Sequence, residues 1–250
     1  KLKFKQFKVI ICNNNSKDDS FIEISNFLNS NQKYDKDKFL IENTGFNGGY
    51  AFACNHGIRY GLQKNNFEYF WILNNDTEVE ENSLTEFINY MEKIPSIGLC
   101  GNPLLYLSDY KTIQGLAGKY NKWTGTTKHI YQNTPYNLNQ VKSIKENNID
   151  YIIGASMFIK KSTILKVGLL DENYFLYCEE HDYCIRVKRK GIKIGICPTS
   201  IVFHEEGGTS SNIKINNEGL DFIDKFYLKN HLTLSRKFFP FIHPIVRFFY

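Results

Sequence analysis

The chain has 250 residues, of which 42% are hydrophobic and 23% are charged, a composition that supports a folded domain with a sizeable core and excludes a disordered chain. Its net charge of +5 is modest, and acidic and basic residues alternate along most of the sequence, so no dedicated nucleic-acid surface is indicated. No apolar stretch approaches the roughly 18 residues of a membrane-spanning helix. The six cysteines show no CxxC pair and no dense spacing, which favours reduced thiols in a cytosolic protein.

Short apolar runs alternate with helical patterns in the first hundred residues. In chain order they predict a strand over 7–12, a helix over 21–28, a strand over 38–41, a helix over 51–62, a strand over 69–73, a helix from 82 and a strand over 97–100. Ser83 and Glu86 form a candidate capping box. This βαβα order predicts an α/β fold with a mainly parallel sheet, in which ligands bind beyond the carboxyl ends of the strands.

The second half of the sequence is less regular. Residues 102–150 are rich in Gly, Asn, Tyr and Thr and predict loops and hairpins. The pattern then predicts ordered structure over 151–159, a helix over 179–190 that ends at Gly191, strands over 192–197 and 201–204, and a last helix over 217–237.

Polar residues follow the first predicted strand. Asn13, Asn14 and Ser16 come directly after an apolar run, where side-chain amides and hydroxyls can bind a base or a ribose and the next helix presents its amino terminus to phosphate. Ordinary turn and capping chemistry accounts for the same residues about equally well.

A glycine-rich loop spans residues 43–49 between the second strand and the second helix. Gly45, Gly48 and Gly49 permit positive φ angles and let backbone amides approach a ligand. The spacing is not GxGxxG, so it does not indicate a dinucleotide fold. A plain tight loop remains an equal alternative.

An acidic turn ends the strand over 69–73. The run Asn74, Asn75, Asp76 places a carboxylate at the end of a buried strand, where it can hold a hard divalent cation that neutralises a diphosphate. Taken alone, the turn is better explained as a solvated aspartate before the next helix.

Three acids cluster at the predicted start of the helix over 179–190. The helix dipole keeps such carboxylates ionised, and an ionised carboxylate can take a proton from a hydroxyl group. For Asp182 an ion pair with Arg186 one turn later is at least as good an explanation. His204, at the end of a strand beside a glycine-rich loop, could complete a metal site, although a lone histidine is more often structural.

In this fixed order the five motifs resemble the family 2 glycosyltransferases of the GT-A fold, particularly the bacterial rhamnosyltransferase-like members, over nearly the whole chain. The resemblance implies an inverting, metal-dependent enzyme that uses Mg²⁺ or Mn²⁺. It also implies transfer of a sugar, rhamnose first, from a dTDP- or UDP-sugar to a saccharide or lipid-linked saccharide acceptor in surface polysaccharide biosynthesis (capsule, O-antigen or cell wall).

The resemblance also assigns roles to single residues. Glu180 would be the base, with Glu179 and Asp182 as substitutes, and Asp76 and His204 would contact the metal. Gly154, Ala155 and Tyr177 would lie on the acceptor side. The donor would contact Asn13, Asn14, Ser16, Asn43, Gly45, Gly48, Gly49, Asn55, Asn74 and Asn75. Asn13 replaces the family's usual aspartate, which leaves the donor preference open, and Glu180 replaces an aspartate.

By the same resemblance, residues 1–101 form the donor half of one domain and residues 102–216 its acceptor and catalytic half, while residues 217–250 form a helix and an aromatic, basic tail. The family's first βα unit of roughly 30 residues is missing. We therefore expect that the sequence is a fragment, with this unit preceding Lys1.

Other interpretations stay open at this stage. The tail over 236–250 combines aromatic residues with cations and predicts either a peripheral contact at the inner face of the cell membrane of a cytoplasmic protein or packing against the domain or a partner. The alternatives to a glycosyltransferase are a nucleotidyltransferase and a non-catalytic module that binds nucleotide sugars or saccharides.

Overall fold

The computed structural model describes residues 2–31, 37–205 and 217–249, with the side chains of 217–223 excepted. The order of elements predicted for the first hundred residues is confirmed, with one added short strand, β4. The elements are β1 (Val9–Asn13), α1 (Ser20–Ser30), β2 (Phe39–Asn43), α2 (Tyr50–Lys64), β3 (Tyr69–Leu73), β4 (Thr77–Val79), α3 (Ser83–Lys93) and β5 (Ile97–Gly101).

The less regular region contains several short strands and helices. Its elements are β6 (Leu104–Tyr106), β7 (Thr112–Gly115), β8 (Gly118–Tyr120), β9 (Thr127–His129), β10 (Thr134–Pro135), α4 (Leu138–Lys142), a 3₁₀ turn (Glu146–Asn148), β11 (Ser156–Lys160) and α5 (Lys161–Val167). The last described elements are α6 (Glu179–Arg189), β12 (Lys193–Ile196), β13 (Val202–His204), α7 (Asn217–Phe238) and α8 (His243–Phe249).

The central sheet is mixed, whereas the sequence predicted a mainly parallel one. Its strand order is β12-β5-β11-β3; β12 runs parallel to β5, but β11 runs antiparallel to both β5 and β3. The parallel pair β1-β2 forms a separate ladder. Among the described residues, β1 and β3 each leave one edge unpaired.

Helix α2 packs on both β1 and β3 because small residues let it approach closely. A Cβ added at Gly61 would lie 2.5 Å from the Phe70 ring, and one at Gly57 would lie 3.1 Å from Sγ of Cys12. Contacts this close admit only glycine or force the neighbours to shift. The helix thus joins the two ladders and carries the glycine-rich loop at its amino end.

A second sheet brings the acidic turn and His204 together. Its strand order is β10-β7-β6-β13-β4, with β13 parallel to β6 and antiparallel to β4. The register pairs His204 with Thr77, the residue after Asp76. The chain segments involved are more than a hundred residues apart, so local patterns could not predict this pairing.

Helix α3 packs its apolar face on the central sheet. Leu84, Phe87 and Met91 are buried at helical spacing, and the Phe87 ring stacks on Phe158 of β11 at 4.7 Å. The predicted capping box does not form, because Ser83 Oγ donates instead to the carbonyl of Ile201 at 2.7 Å.

The carboxyl-terminal segment packs on the segment that precedes α6. Leu234 and Phe238 form a buried cluster with Tyr174 and Cys178. Asn230, which is 2% exposed, donates to the carbonyl of Leu176 at 2.7 Å. Within the described residues, no helix is both long and apolar enough to cross a bilayer.

Candidate active site

Asp76 and His204 face each other at the ends of two paired strands. Asp76 precedes β4, and His204 ends β13. Oδ1 of Asp76 lies 3.1 Å from Nε2 of His204, and both side chains are largely buried. Neither of these two atoms forms a hydrogen bond within the described part of the chain. Two buried polar atoms without hydrogen bonds therefore point at the same place.

The space between the side chains of Asp76 and His204 fits a divalent cation. Nδ1 of His204 lies 2.6 Å from Oε1 of Gln114; because a carbonyl oxygen can only accept, the ring proton belongs on Nδ1, and Nε2 presents a lone pair to Asp76. Two atoms about 2.1 Å from an octahedral cation and at right angles lie about 3.0 Å apart. The described residues hold no cluster of three candidate ligands, so water and phosphate oxygens would fill the remaining positions.

Asn14 holds the glycine-rich loop against the end of β1. Its Nδ2 donates to Oδ1 of Asn47 at 2.9 Å and to the carbonyl of Gly49 at 3.0 Å. Its Oδ1 accepts from the Thr44 hydroxyl at 3.2 Å. The amide group of Asn14 is thus committed to shaping the loop.

Two other asparagines stabilise the turns at this edge. Oδ1 of Asn13 accepts from the Ser16 amide at 3.4 Å, and Oδ1 of Asn43 accepts from the Gly45 amide at 3.1 Å. These turns follow β1 and β2, which run parallel, so the predicted donor residues of both strands lie side by side.

The glycine-rich loop touches the segment before α6 at Gly49. This residue has φ 87°, and a Cβ here would lie 2.2 Å from the carbonyl oxygen of Phe175. The Tyr50 amide donates to that same carbonyl at 2.8 Å. Only glycine permits both the left-handed backbone and the close approach, and the contact joins the glycine-rich loop to the segment that leads into α6.

Tyr50, which the sequence analysis did not identify, links three parts of the site. Its hydroxyl oxygen lies 3.0 Å from Oδ1 of Asn74 and 2.8 Å from the carbonyl oxygen of Gly154. The backbone N–H of Asn74 donates to the carbonyl of Ala155 at 3.0 Å. The only sequence signal for Tyr50 was its position directly after the loop glycines.

The acids Glu179 and Glu180 open α6 after a turn with uncommon backbone angles. Tyr177 and Cys178 have φ values of 68° and 74°, which few residues other than glycine adopt. Asn230 of α7 donates to the Tyr177 carbonyl at 3.0 Å and holds this turn. The carboxyl-terminal helix therefore supports the position of the acids.

Gly154 and Tyr50 lie between Glu180 and the acidic turn. A Cβ on Gly154 would lie 3.8 Å from Cβ of Glu180, and the Gly154 carbonyl accepts from Tyr50, which also bonds Asn74. Asn74 precedes Asp76 by two residues. The carboxylate predicted as base and the candidate cation site between Asp76 and His204 thus border the same region.

The surroundings of Glu179 and Glu180 separate their pKa values. Burial, followed by the charge of Glu180, raises the pKa of Glu179 well above its ordinary value. Burial also raises the pKa of Glu180, but His181, with Nδ1 3.3 Å from Oε1 of Glu180, a backbone hydrogen bond and His231 together outweigh burial and bring that pKa below its ordinary value. A general base must be ionised, which favours Glu180 over Glu179.

Two predicted site residues are buried, and their side chains bond to other parts of the protein. Asp182 is 0% exposed; one carboxylate oxygen pairs with Arg186 at 2.5 Å and the other with Lys237 at 2.5 Å. Asn55 is 0% exposed, and its amide bonds both the backbone of Leu170 and Glu172. Neither side chain is open to a ligand, so we leave both out of the proposed site.

The remaining predicted residues differ in exposure. Ser16, Gly45 and Asn75 are exposed, Gly48 and Tyr177 are half-buried, and Ala155 is buried. A Cβ on Gly48 would collide with the Phe52 ring, so this glycine serves local packing. The glycine-rich loop after His204 falls mainly on residues 206–210, outside the described residues.

Two curated relatives share low identity with the chain. The low-salt glycan biosynthesis hexosyltransferase Agl10 of Haloferax volcanii is 25% identical over 197 residues, covering 76% of this chain and 59% of Agl10. The rhamnosyltransferase WbbL of Escherichia coli is 24% identical over 169 residues, covering 63% of this chain and 61% of WbbL. The chain spans about three fifths of the length of these relatives.

Two solved structures share the fold. GalNAc-T7 with UDP, GalNAc and Mn²⁺ has a TM-score of 0.57 at 14% identity, over 81% of this chain and 39% of that one. The mannosyltransferase PcManGT of Pyrobaculum calidifontis, with GDP-Man and Mn²⁺, has a TM-score of 0.57 at 11% identity, over 96% of this chain and 59% of that one. The expected GT-A fold is confirmed by these likenesses, and the family model described as Glycosyl transferase family 2 matches residues 1–165. The chain belongs to glycosyl transferase family 2.

Proposed function

We propose that the chain carries the catalytic site of an inverting, metal-dependent glycosyltransferase that acts in surface polysaccharide biosynthesis. The enzyme transfers a hexose or deoxyhexose, with rhamnose as the first candidate, from a dTDP- or UDP-sugar to a saccharide acceptor. The observation that carries the proposal is that Gly154 lies beside Glu180 and is joined through Tyr50 to the turn that bears Asp76. The hexosyl and rhamnosyl transferase relatives support the choice of sugar.

In the proposed reaction, Glu180 accepts the proton of an acceptor hydroxyl. The hydroxyl oxygen forms a bond to the anomeric carbon as the bond from that carbon to the diphosphate breaks, and the diphosphate leaves with the electron pair. Because attack and departure occur on opposite faces of the carbon, its configuration inverts. Asp76 and His204 would hold Mg²⁺ or Mn²⁺, which would neutralise the departing diphosphate when bound.

The donor would lie along the edge formed by the ends of β1 and β2. Hydrogen bonds within the turns at Asn13 and Asn43 fix the path of the backbone there, and polar groups at the carboxyl ends of parallel strands can bind a base, a ribose and a diphosphate. Asn14 fixes the conformation of the loop through its hydrogen bonds to Asn47 and Gly49.

Glu180→Gln tests the role of the base. We expect transfer to fall by about 10²–10⁴-fold, with donor binding retained in a thermal-shift screen of nucleotide sugars. Glu179→Gln is the matched control, since its neighbour keeps the ionised carboxylate, and it should retain more activity. Full transfer by Glu180→Gln would remove Glu180 from the mechanism.

Asp76→Asn tests the metal without an activity assay. We expect Mn²⁺ together with a nucleotide sugar to raise the melting temperature of the native chain and to do so much less in the variant, because the amide is a weaker ligand than the carboxylate. An equal Mn²⁺ effect in both proteins would contradict the site. Donor binding without transfer to any acceptor would favour a binding module instead, and release of pyrophosphate from a nucleoside triphosphate would favour a nucleotidyltransferase.

The proposal includes a cytoplasmic location with a peripheral membrane contact. Phe241 and Phe248 in the carboxyl-terminal segment are 96% and 87% exposed, and Arg236 and Arg247 nearby are exposed as well. Exposed aromatic residues beside cations are suited to an anionic lipid surface.

A further inference from the structure

A cavity of about 420 Å³ borders the residue that follows Glu180. One face of α6 forms its floor, with His181, Ile185 and Arg189 at helical spacing. Tyr120 at the end of β8 and Phe239 after α7 form two of its walls. Its volume is in the range of small-ligand sites, and none of the roles proposed above uses it.

Positive charge predominates around this cavity. Lys122, Lys188 and Arg189 line it, against the single carboxylate of Asp150. Nζ of Lys188 lies 3.7 Å from Oδ1 of Asp150 and so neutralises that carboxylate in part. Lys122 and Arg189 are exposed. One guanidinium nitrogen of Arg189 donates to the carbonyl of Phe238 at 2.9 Å, and its other N–H groups can face an anion at the rim.

The floor holds a buried imidazole. His181 is 7% exposed, and its Nε2 forms no hydrogen bond within the described residues. Its Nδ1 lies 3.3 Å from Oε1 of Glu180, and its ring centroid is 3.7 Å from that of Tyr151. A buried polar atom without a partner is costly, so Nε2 is suited to a hydroxyl or an anionic oxygen of a ligand.

The walls are mainly aromatic. Tyr120, Tyr151 and Phe239 line the cavity, and Tyr120 and Phe239 stack with centroids 5.7 Å apart. Aromatic walls accommodate the C–H face of a sugar ring, while a rim of cations accommodates a carboxylate or a phosphate. A bare inorganic anion would use the rim alone and leave the aromatic walls uncovered.

We propose that this cavity binds an acidic sugar unit, a pyranose ring that carries a carboxylate or a phosphate group. The ring packs against the aromatic walls, a hydroxyl reaches Nε2 of His181, and the anionic group lies between Lys122 and Arg189. Because His181 adjoins Glu180, such a unit would belong to the acceptor, a role that rests on the proposed function. Binding itself does not depend on that role.

Tryptophan fluorescence provides a direct assay. The chain has two tryptophans; Trp123 is 51% exposed, and Nζ of Lys122 lies 5.7 Å from its ring centroid. An anion that draws Lys122 away should change the emission of Trp123. The full chain is titrated with glucuronate and with glucose 6-phosphate, and in parallel with glucose and with inorganic phosphate.

We expect both acidic sugars to saturate with Kd on the order of 1 mM, and glucose and phosphate to bind at least about tenfold more weakly. The acidic sugar that binds more tightly shows whether the cavity prefers a carboxylate or a phosphate group. No saturable change, or equally tight binding of glucose or inorganic phosphate, would overturn the proposal. Trp123→Phe should abolish the signal, and a signal that survives in this variant would equally count against the cavity.

Matched variants test the position of the site. Lys122→Gln should weaken binding about fivefold to tenfold, whereas Lys128→Gln, an exposed lysine on the adjoining strand β9 that does not line the cavity, should not. His181→Asn should also weaken binding, with thermal unfolding as a check on folding. Equal effects of the two lysine variants would overturn the proposal.

The same preparations are tested with nucleotide sugars and Mn²⁺. Loss of donor binding with retained acid binding would defeat the proposed function and leave the cavity site intact, whereas the reverse result would defeat only the cavity site.

Discussion

Gly49 allows the glycine-rich loop to contact the segment that leads into α6. Its φ of 87° is left-handed, and the carbonyl oxygen of Phe175 occupies the place where a Cβ would be. Gly45 shares the left-handed backbone, with φ 85°, but no atom lies within 4 Å of the position that a Cβ would take there. A comparison of alanine variants at these two glycines therefore distinguishes the cost of backbone strain from the cost of a steric clash.

Gly49→Ala should lower the free energy of unfolding by about 2–4 kcal/mol, since it adds overpacking to backbone strain. Gly45→Ala, the matched control, should cost about 1 kcal/mol from strain alone. Urea denaturation of both variants provides the measurement. Equal losses would contradict a close contact between the loop and Phe175.

Residue type alone did not separate binding asparagines from structural ones. The sequence assigned Asn13, Asn14 and Asn55 to the donor, yet Asn55 is fully buried against Leu170 and Glu172, which are more than a hundred residues later in the chain. Burial of this kind depends on long-range packing, which no local pattern records. Gly45 and Gly49 could be recognised from the sequence because a positive φ angle is a local property of the backbone.

At the level of elements, strands and helices with clear periodicity were predicted well. The strand over 69–73 has the predicted bounds, and the helix predicted over 217–237 ends one residue later, at Phe238. The pairing of β4 with β13 was not predicted, because its register joins residues 77–79 to 202–204. That pairing brings His204 to Asp76, so the geometry of the site was the part that sequence could not provide.

A network of ion pairs attaches helix α7 to helix α6, which bears the proposed base. Nζ of Lys237 lies 2.7 Å from Oδ2 of Asp171 and 2.5 Å from Oδ2 of Asp182. Burial raises the pKa of Asp171, but the hydrogen bonds from Lys237 and Asn173 and the charge of Lys237 together outweigh burial and bring that pKa below its ordinary value. Burial lowers the pKa of Lys237, and the two carboxylates outweigh it and raise that pKa.

Lys237→Met should lower the free energy of unfolding by about 1–3 kcal/mol near neutral pH, because Asp182 stays buried while solvent screens part of the loss. Arg236→Met, an exposed neighbour, is the control and should change it by about 0.5 kcal/mol or less. Chemical denaturation at a series of pH values provides the measurement.

The pH dependence of this difference follows from the signs of the shifts. The lowered pKa of Asp171 gives stability that is present above the unfolded value of about 3.9 and is lost as the pH falls through the folded value. The raised pKa of Lys237 gives stability that is present below about pH 10.4 and is lost as the pH rises through the folded value. The difference between native chain and variant should therefore shrink below about pH 4, and a constant difference down to pH 2 would contradict the ion network.

On the scale of the whole molecule, the predicted donor and acceptor halves share one central sheet. Strand β3 from the first half pairs along its length with β11 from the second, and Tyr50 bonds both Asn74 and Gly154 across that boundary. The carboxyl-terminal helix then supports the turn before Glu179 and Glu180 through Asn230. The proposed site therefore depends on the folding of all three regions together.

The carboxyl-terminal surface gives the last test, which concerns the membrane contact. Val246 is fully buried, whereas Phe241, Ile245 and Phe248 are 96%, 43% and 87% exposed. The double variant Phe241→Ser with Phe248→Ser should reduce co-sedimentation with anionic phosphatidylglycerol vesicles at least about tenfold, because each phenylalanine loses apolar burial in the lipid interface.

The matched control for the membrane test removes exposed apolar side chains elsewhere. Ile22 and Leu165 are 57% and 68% exposed on α1 and α5, and their double serine variant should sediment like the native chain. High salt should weaken sedimentation of the native chain, since it screens the attraction of Arg236 and Arg247 to anionic lipid. If the native chain and the phenylalanine variant sediment equally, this surface does not bind lipid, and packing against a protein becomes the better explanation for its exposed aromatic residues.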